Sequence, residues 1–155
     1  MASGLVAELK QTKPFESLEV EAVLSIARTA AALEHQVSQA LRAYGLTLTQ
    51  YNVLRILRGA GPAGLCRNEV GSRLVTQVPD VTRLLDRMED TGVISRERGA
   101  EDRRYVTARI TRKGLDLVGK LDQPMLELHQ VQLGHVSKKT LRALIEALAE
   151  VRAKP

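Results

Sequence analysis

The chain is poor in aromatic residues. Phe15, Tyr44, Tyr51 and Tyr105 make up 3% of the 155 residues, and tryptophan is missing. The core is therefore aliphatic, which favours packed helices over an aromatic-rich sheet. The same scarcity argues against recognition of single-stranded nucleic acid, which needs several stacking platforms. One cysteine, Cys66, cannot make an internal disulfide and fits a reducing compartment. The longest uncharged run, Ala43 to Leu54, spans twelve residues with Thr, Gln and Asn among them, so no transmembrane helix is expected. Glu8 and Lys10 stand where a secretory signal needs an apolar stretch. A cytoplasmic protein that does not engage a membrane is expected.

Catalytic chemistry is as thinly provided. His35, His129 and His135 are scattered, and the six-residue spacing of the last two does not place both on one helix face. With a single cysteine a structural zinc site is disfavoured. No Ser/His/Asp or Cys/His arrangement and no glycine-rich phosphate loop is present. The chain reads as a non-enzyme, with no metal or cofactor.

What is there is a single-domain length, 44% hydrophobic and 26% charged residues, and a net charge of +5. A modest basic excess suits duplex DNA or an anionic membrane surface. A polar leader runs to Pro14. Val20, Val23, Leu24, Ala27, Ala31, Val37 and Leu41 then recur at helical spacing, and Gly45 is a stop. Thr49 is placed to cap a second helix over 50–58, and Gly59 to Pro62 break it. Short helices follow at about 67–74 and 79–91, the latter closed by Gly92.

The period then changes. Residues 93–97 and 105–110 read as two short strands joined by a charged turn. Thr111 caps a long helix that Pro124 should kink or break, and Ser137 caps a last helix with an apolar stripe of Leu141, Leu144, Ile145, Leu148 and Val151. The fold class is mostly α with a small β-hairpin. Two short helices followed by a hairpin outline a winged helix-turn-helix.

Within the helix before the hairpin, Val78, Val81, Leu84, Leu85 and Met88 share one face, and Arg83 points away from them. Such a helix can read a major groove. Arg83 can pair with a guanine edge and Asp80 can accept from a cytosine amine. Thr76, Gln77 and Pro79 stand at the end expected to enter the groove, and Arg87, one turn on, suits a phosphate. The hairpin turn carries Arg96, Arg98, Arg103 and Arg104, guanidiniums able to enter a narrow A·T-rich minor groove. Asp102 would repel phosphate if free, so it is expected to brace an arginine and shape the loop. Each feature alone is an ordinary solvated surface; their succession within about thirty residues is specific.

Residues 78–89 (VPDVTRLLDRME), then Gly92-Val93-Ile94, Asp102-Arg103-Arg104 and Ile110-Thr111-x-x-Gly114, resemble the MarR family of bacterial transcriptional regulators. The resemblance runs from about Val20 to Val151. It implies a winged helix-turn-helix lobe over about 46–111, flanked by dimerisation helices at about 15–45 and 112–153. It also implies a homodimer on palindromic double-stranded DNA, as a repressor, and a small phenolic or lipophilic effector between the dimer helices and the DNA lobe. By position, Thr82, Arg83 and Arg87 match recognition-helix contacts, and Asp102 and Arg104 the wing pair, with Arg104 in the minor groove.

Two departures stand out. The turn at 74–77 (LVTQ) lacks the small residue, often Gly, of many such turns. Cys66 takes the Ser/Thr place of a capping box with Glu69, where a thiol caps poorly. At a helix start beside Arg67, that thiol is either a reactive sensor or a small residue of no chemical consequence. Residues 67–113 hold eleven basic and eight acidic residues, so +3 of the net charge lies in the DNA-binding lobe. The competing reading is a winged-helix protein–protein interaction module, in which Arg83 and Arg104 serve only solubility.

Overall fold

A computed structural model describes residues 4–153. The chain falls into two compact units, Met1–Leu48 and Thr49–Pro155. In the first, a short helix α1 (Gly4–Glu8) precedes α2 (Leu18–Arg42). The expected polar leader thus contains one helical turn, anchored by the buried Leu5. Ser17 starts α2 by accepting a hydrogen bond from the Val20 amide at 3.3 Å. Gly45 ends it in the left-handed region at φ +69°, where the Leu46 amide reaches back to the Leu41 carbonyl at 3.3 Å.

Helix α3 (Leu48–Ala60) begins at the last residue of the first unit and otherwise belongs to the second; it starts two residues before the expected position, so Thr49 lies within its first turn and not at its cap. A 3-10 turn at Gly61–Ala63 leads to β1 (Leu65–Cys66) and α4 (Arg67–Arg73). Then come α5 (Val81–Asp90), β2 (Ile94–Arg98), β3 (Val106–Ile110), α6 (Arg112–Leu133) and α7 (Lys138–Arg152). The hairpin is in fact a three-stranded antiparallel sheet of order β1-β3-β2, with Leu65 opposite Ala108 and Arg96 opposite the same residue from the other side. Two residues are too few to show alternation in sequence, so β1 has no signature of its own.

Leu54, Leu57, Val70, Leu85, Met88, Ile94 and Leu121 are among the largest fully buried side chains of this unit, all aliphatic or Met. Gly71 supplies the small residue that the turn lacks. It lies in α4, where an added Cβ would sit 3.2 Å from the Val81 side chain, so α4 and α5 cross closely there. Pro124 does not break α6, which runs on to Leu133. A proline inside a helix costs about 3 kcal/mol; burial of Val118, Leu121 and Met125 on either side of it offsets that cost.

The Ile-Thr-x-x-Gly motif acquires a physical meaning here. Thr111 caps α6 by accepting from the Gly114 amide at 3.2 Å, while its hydroxyl donates to the Gly92 carbonyl at 2.6 Å. Gly114 lets the helix approach β2, since a Cβ would meet the Val93 carbonyl oxygen at 2.2 Å.

Candidate nucleic-acid interface

The two short helices and the sheet bring one set of polar side chains to a common lobe. Asp80 is the N-cap of α5 and accepts from the Arg83 amide at 2.9 Å. The helix therefore begins at Val81, later than the expected start near Pro79, because a capping aspartate satisfies an amide that a proline start would leave open. Thr76, Gln77 and Pro79 consequently lie in the connection ahead of the cap, all exposed. One oxygen of Asp80 is occupied by the cap.

Arg83 and Arg87 are exposed on α5, opposite the buried Leu85 and Met88. Among the described residues, none offers either guanidinium a carboxylate within ion-pair distance. Thr82 is exposed too, and its hydroxyl accepts from the Arg67 guanidinium at 3.1 Å. Arg67, at the start of α4, thus shares the face of Thr82, which the sequence reading did not anticipate.

Asn52 was also missed. Its side-chain carbonyl on α3 accepts from the Val75 amide at 2.9 Å and fixes the turn between α4 and α5. Twenty-three residues separate the pair, and no local pattern announces it.

The wing tip is closed by its own backbone. The Gly99 amide donates to the Tyr105 carbonyl at 2.7 Å, and the Tyr105 amide to the Asp102 carbonyl at 3.0 Å. The Asp102 carboxylate accepts from the Arg104 amide at 2.9 Å, and the Arg104 guanidinium lies 3.8 Å from the same oxygen. Asp102 therefore shapes the loop as expected, while the Arg104 side chain is 96% exposed. Arg98 ends β2 and Arg103 lies in the tip, both exposed.

Arg96 stands apart from the other wing arginines. It lies inside β2 and not at the tip, and it donates to Glu89 and Asp86 of α5. Partial burial works against its charge, yet these bonds outweigh it and hold the guanidinium above its ordinary range.

At the foot of the wing, Cys66 caps α4. The Glu69 carboxylate accepts from the Cys66 amide at 2.8 Å, which closes that half of the capping box. This bond, with a smaller one from the thiol, holds the Glu69 carboxyl below its usual range. A cleft of about 300 Å³ opens beside it, lined by Cys66, Arg67, Thr82, Arg96, Arg104 and Tyr105 among others.

Among the described residues there is no cluster of three or more His, Cys, Asp or Glu side chains able to hold a metal, and no helix long and apolar enough to cross a membrane. Exposed arginines on α5 beside an arginine-tipped wing give this lobe a charge pattern suited to phosphate and base edges.

Comparison with known proteins agrees with that chemistry. The MarR family model matches residues 46–106. The transcriptional regulator TtmR of Methylorubrum extorquens is 34% identical over 140 residues, covering 88% of this chain and 68% of its own. A MarR transcription factor from Planctomyces limnophilus is 36% identical, with a TM-score of 0.68 over 87% of this chain and 98% of that one. BpsR of Bordetella bronchiseptica, whose DNA binding is regulated by 6-hydroxynicotinic acid, shares the fold at 19% identity, with a TM-score of 0.77 over 86% of this chain and 99% of that one. The chain belongs to the MarR family of non-enzymatic, DNA-binding transcriptional regulators.

Proposed function

We propose that the protein is a cytoplasmic repressor that binds a palindromic operator as a homodimer and is released by a small effector. The observation that carries this reading is the set of exposed guanidiniums on one lobe: Arg83 and Arg87 on α5, and Arg104 at the wing tip. In this reading Thr76, Gln77, Pro79, Asp80, Thr82 and Arg83 approach base edges in the major groove. Arg87 neutralises a phosphate, and Arg98, Arg103 and Arg104 serve the minor groove and its rims, with Asp102 bracing the tip. Two lobes related by a two-fold reach successive major grooves ~34 Å apart.

Dimerisation is supported by α7, none of whose residues is buried although Leu144, Ile145 and Val151 project from it. A face of that kind suits an isologous interface. Effector control is supported by BpsR, a protein of the same fold whose DNA binding answers to a small acidic aromatic. A coupling of ~1–3 kcal/mol would change operator affinity ~5–150-fold.

The test is selection of bound duplexes from a random pool at physiological salt, with Arg83→Ala in parallel. An enriched palindrome with half-sites about one helical turn apart, relaxed by the substitution, is the expected result. Enrichment of nothing above background would favour an interaction module and overturn the operator reading.

A further inference from the structure

Arg96 makes four hydrogen bonds to α5. Its amide donates to Glu89 Oε1 at 3.2 Å and its Nε to Glu89 Oε2 at 2.9 Å. Its terminal nitrogen donates to Glu89 Oε2 at 2.7 Å and to Asp86 Oδ1 at 2.5 Å. The arginine side chain is only 19% exposed, against 51% and 38% for Asp86 and Glu89. Asp86 and Glu89 are three residues apart, on one flank of the helix. A planar fork between two carboxylates cannot turn without losing one of them.

We infer that Arg96 is a positioning residue for DNA recognition, a clamp between the wing strand and the recognition helix that holds the wing's exposed arginines in fixed relation to Arg83. This rests on the DNA-reading proposal above. The position of the clamp explains why it matters. Arg96 is the middle residue of β2, an edge strand whose other neighbour is open, and its amide is bonded to Glu89. From there the strand continues only two residues, to Arg98, before the tip. A small swing of β2 about its start becomes a large displacement of Arg104. Entry of a helix and a wing into adjacent grooves then requires the two to be pre-set, or ordering of the wing is lost from the binding free energy.

The clamp has a second consequence. Asp86 and Glu89 lie on the helix that faces DNA and would repel phosphates if left uncompensated. Arg96 offsets one of those two charges in place. Position and charge are separable by substitution. Asp86→Asn with Glu89→Gln releases the arginine and makes the lobe more positive. Arg96→Met breaks the tie and bares both carboxylates.

The experiment is duplex selection and affinity measurement on wild type, Arg96→Met and the Asp86→Asn/Glu89→Gln pair, with thermal melting to establish that each folds. In the wild type the bases flanking each half-site, read by the wing, are expected to be discriminated about tenfold. Both variants should lower that to about twofold while preserving the inner preference that depends on Arg83. If Arg96 instead contacted DNA itself, freeing it in the double variant would raise affinity and keep the flanking preference; that result overturns the inference.

A second measurement is independent of any operator: ¹⁵N relaxation over residues 99–105, on both the fast and the millisecond timescale. Increased wing motion in the double variant supports the clamp even if wild type enriches no sequence, a case in which only the DNA reading falls. Identical wing motion in wild type and double variant, with both folded, rejects the clamp.

Discussion

Arg58 and Asp122 meet fork to fork, NH1 to Oδ2 at 2.8 Å and NH2 to Oδ1 at 2.9 Å, and so tie α3 to α6. The bonds that Arg58 donates hold the Asp122 carboxyl below the ordinary aspartate range and raise the guanidinium. Both side chains keep solvent contact, so the pair is worth ~1 kcal/mol, the upper end for exposed pairs. A depressed folded value stabilises above the unfolded value of about 3.9 and loses that contribution as pH falls through the lower folded one. Asp122→Asn should therefore lower the urea midpoint at pH 7 and at pH 5. The gap to wild type should narrow as the pH falls below that unfolded value. A gap that persists there would show that the pair acts through packing and not through charge.

Gly114 and Gly119 both lie in α6 and should respond in opposite directions to alanine. Alanine is the better helix former by about 1 kcal/mol. At Gly119 the new Cβ meets nothing within 4 Å among the described residues, so the gain should appear as raised stability. At Gly114 it meets the Val93 carbonyl oxygen at 2.2 Å and the Ile110 side chain at 2.7 Å. Overpacking of this kind costs about 1–3 kcal/mol. The clash should win, with a net loss of about 1–2 kcal/mol in denaturant titration. Equal responses at the two sites would contradict the close approach of α6 to β2.

What the sequence disclosed and what it withheld divide along the range of the contacts. The caps at Thr111 and Ser137 are local, each a hydroxyl accepting from an amide three residues on, and such spacing is visible in a string of letters. The apolar face of α5 is equally legible, because Leu85 and Met88 follow the helical period. Pro124 misled, because propensity registers the lost amide but not the buried Leu121 and Met125 beside it. The Asn52 bond to Val75 depends on α3 crossing the turn, which no period encodes. Arg96 is the most instructive of these. An arginine in a basic turn reads the same whether its fork is open or held by two carboxylates, and only the fold brings Glu89 beneath it.

Ile145 is 64% exposed in the middle of α7, a costly place for an isoleucine in water. Burial of such a side chain in an interface is worth ~1.5–3 kcal/mol, and a two-fold would count it twice. Ile145→Glu should convert a dimer to a monomer in sedimentation and weaken operator binding, while far-ultraviolet circular dichroism stays unchanged. A wild-type monomer at micromolar concentration would contradict the homodimer.

Arg83 and Arg87 are one turn apart on α5, both exposed, and should nevertheless fail in different ways. Arg83 lies in the first turn of the helix, beside the Asp80 cap and the connection carrying Thr76 and Gln77, the end proposed above to approach base edges. Loss of a bidentate base contact costs ~1–3 kcal/mol and relaxes the preference at one position. Arg87 lies toward the other end of the helix, in its last turn, the position proposed above for a phosphate contact. Arg87→Ala should weaken every duplex by the same factor. It should also flatten the slope of log affinity against log salt by ~0.9, the signature of one phosphate contact. Titration of both variants against the selected site and a scrambled duplex, at several salt concentrations, separates the two roles. A change in base preference for Arg87→Ala, or a uniform loss for Arg83→Ala, would reverse the assignment and shift the groove-reading end of the helix by one turn.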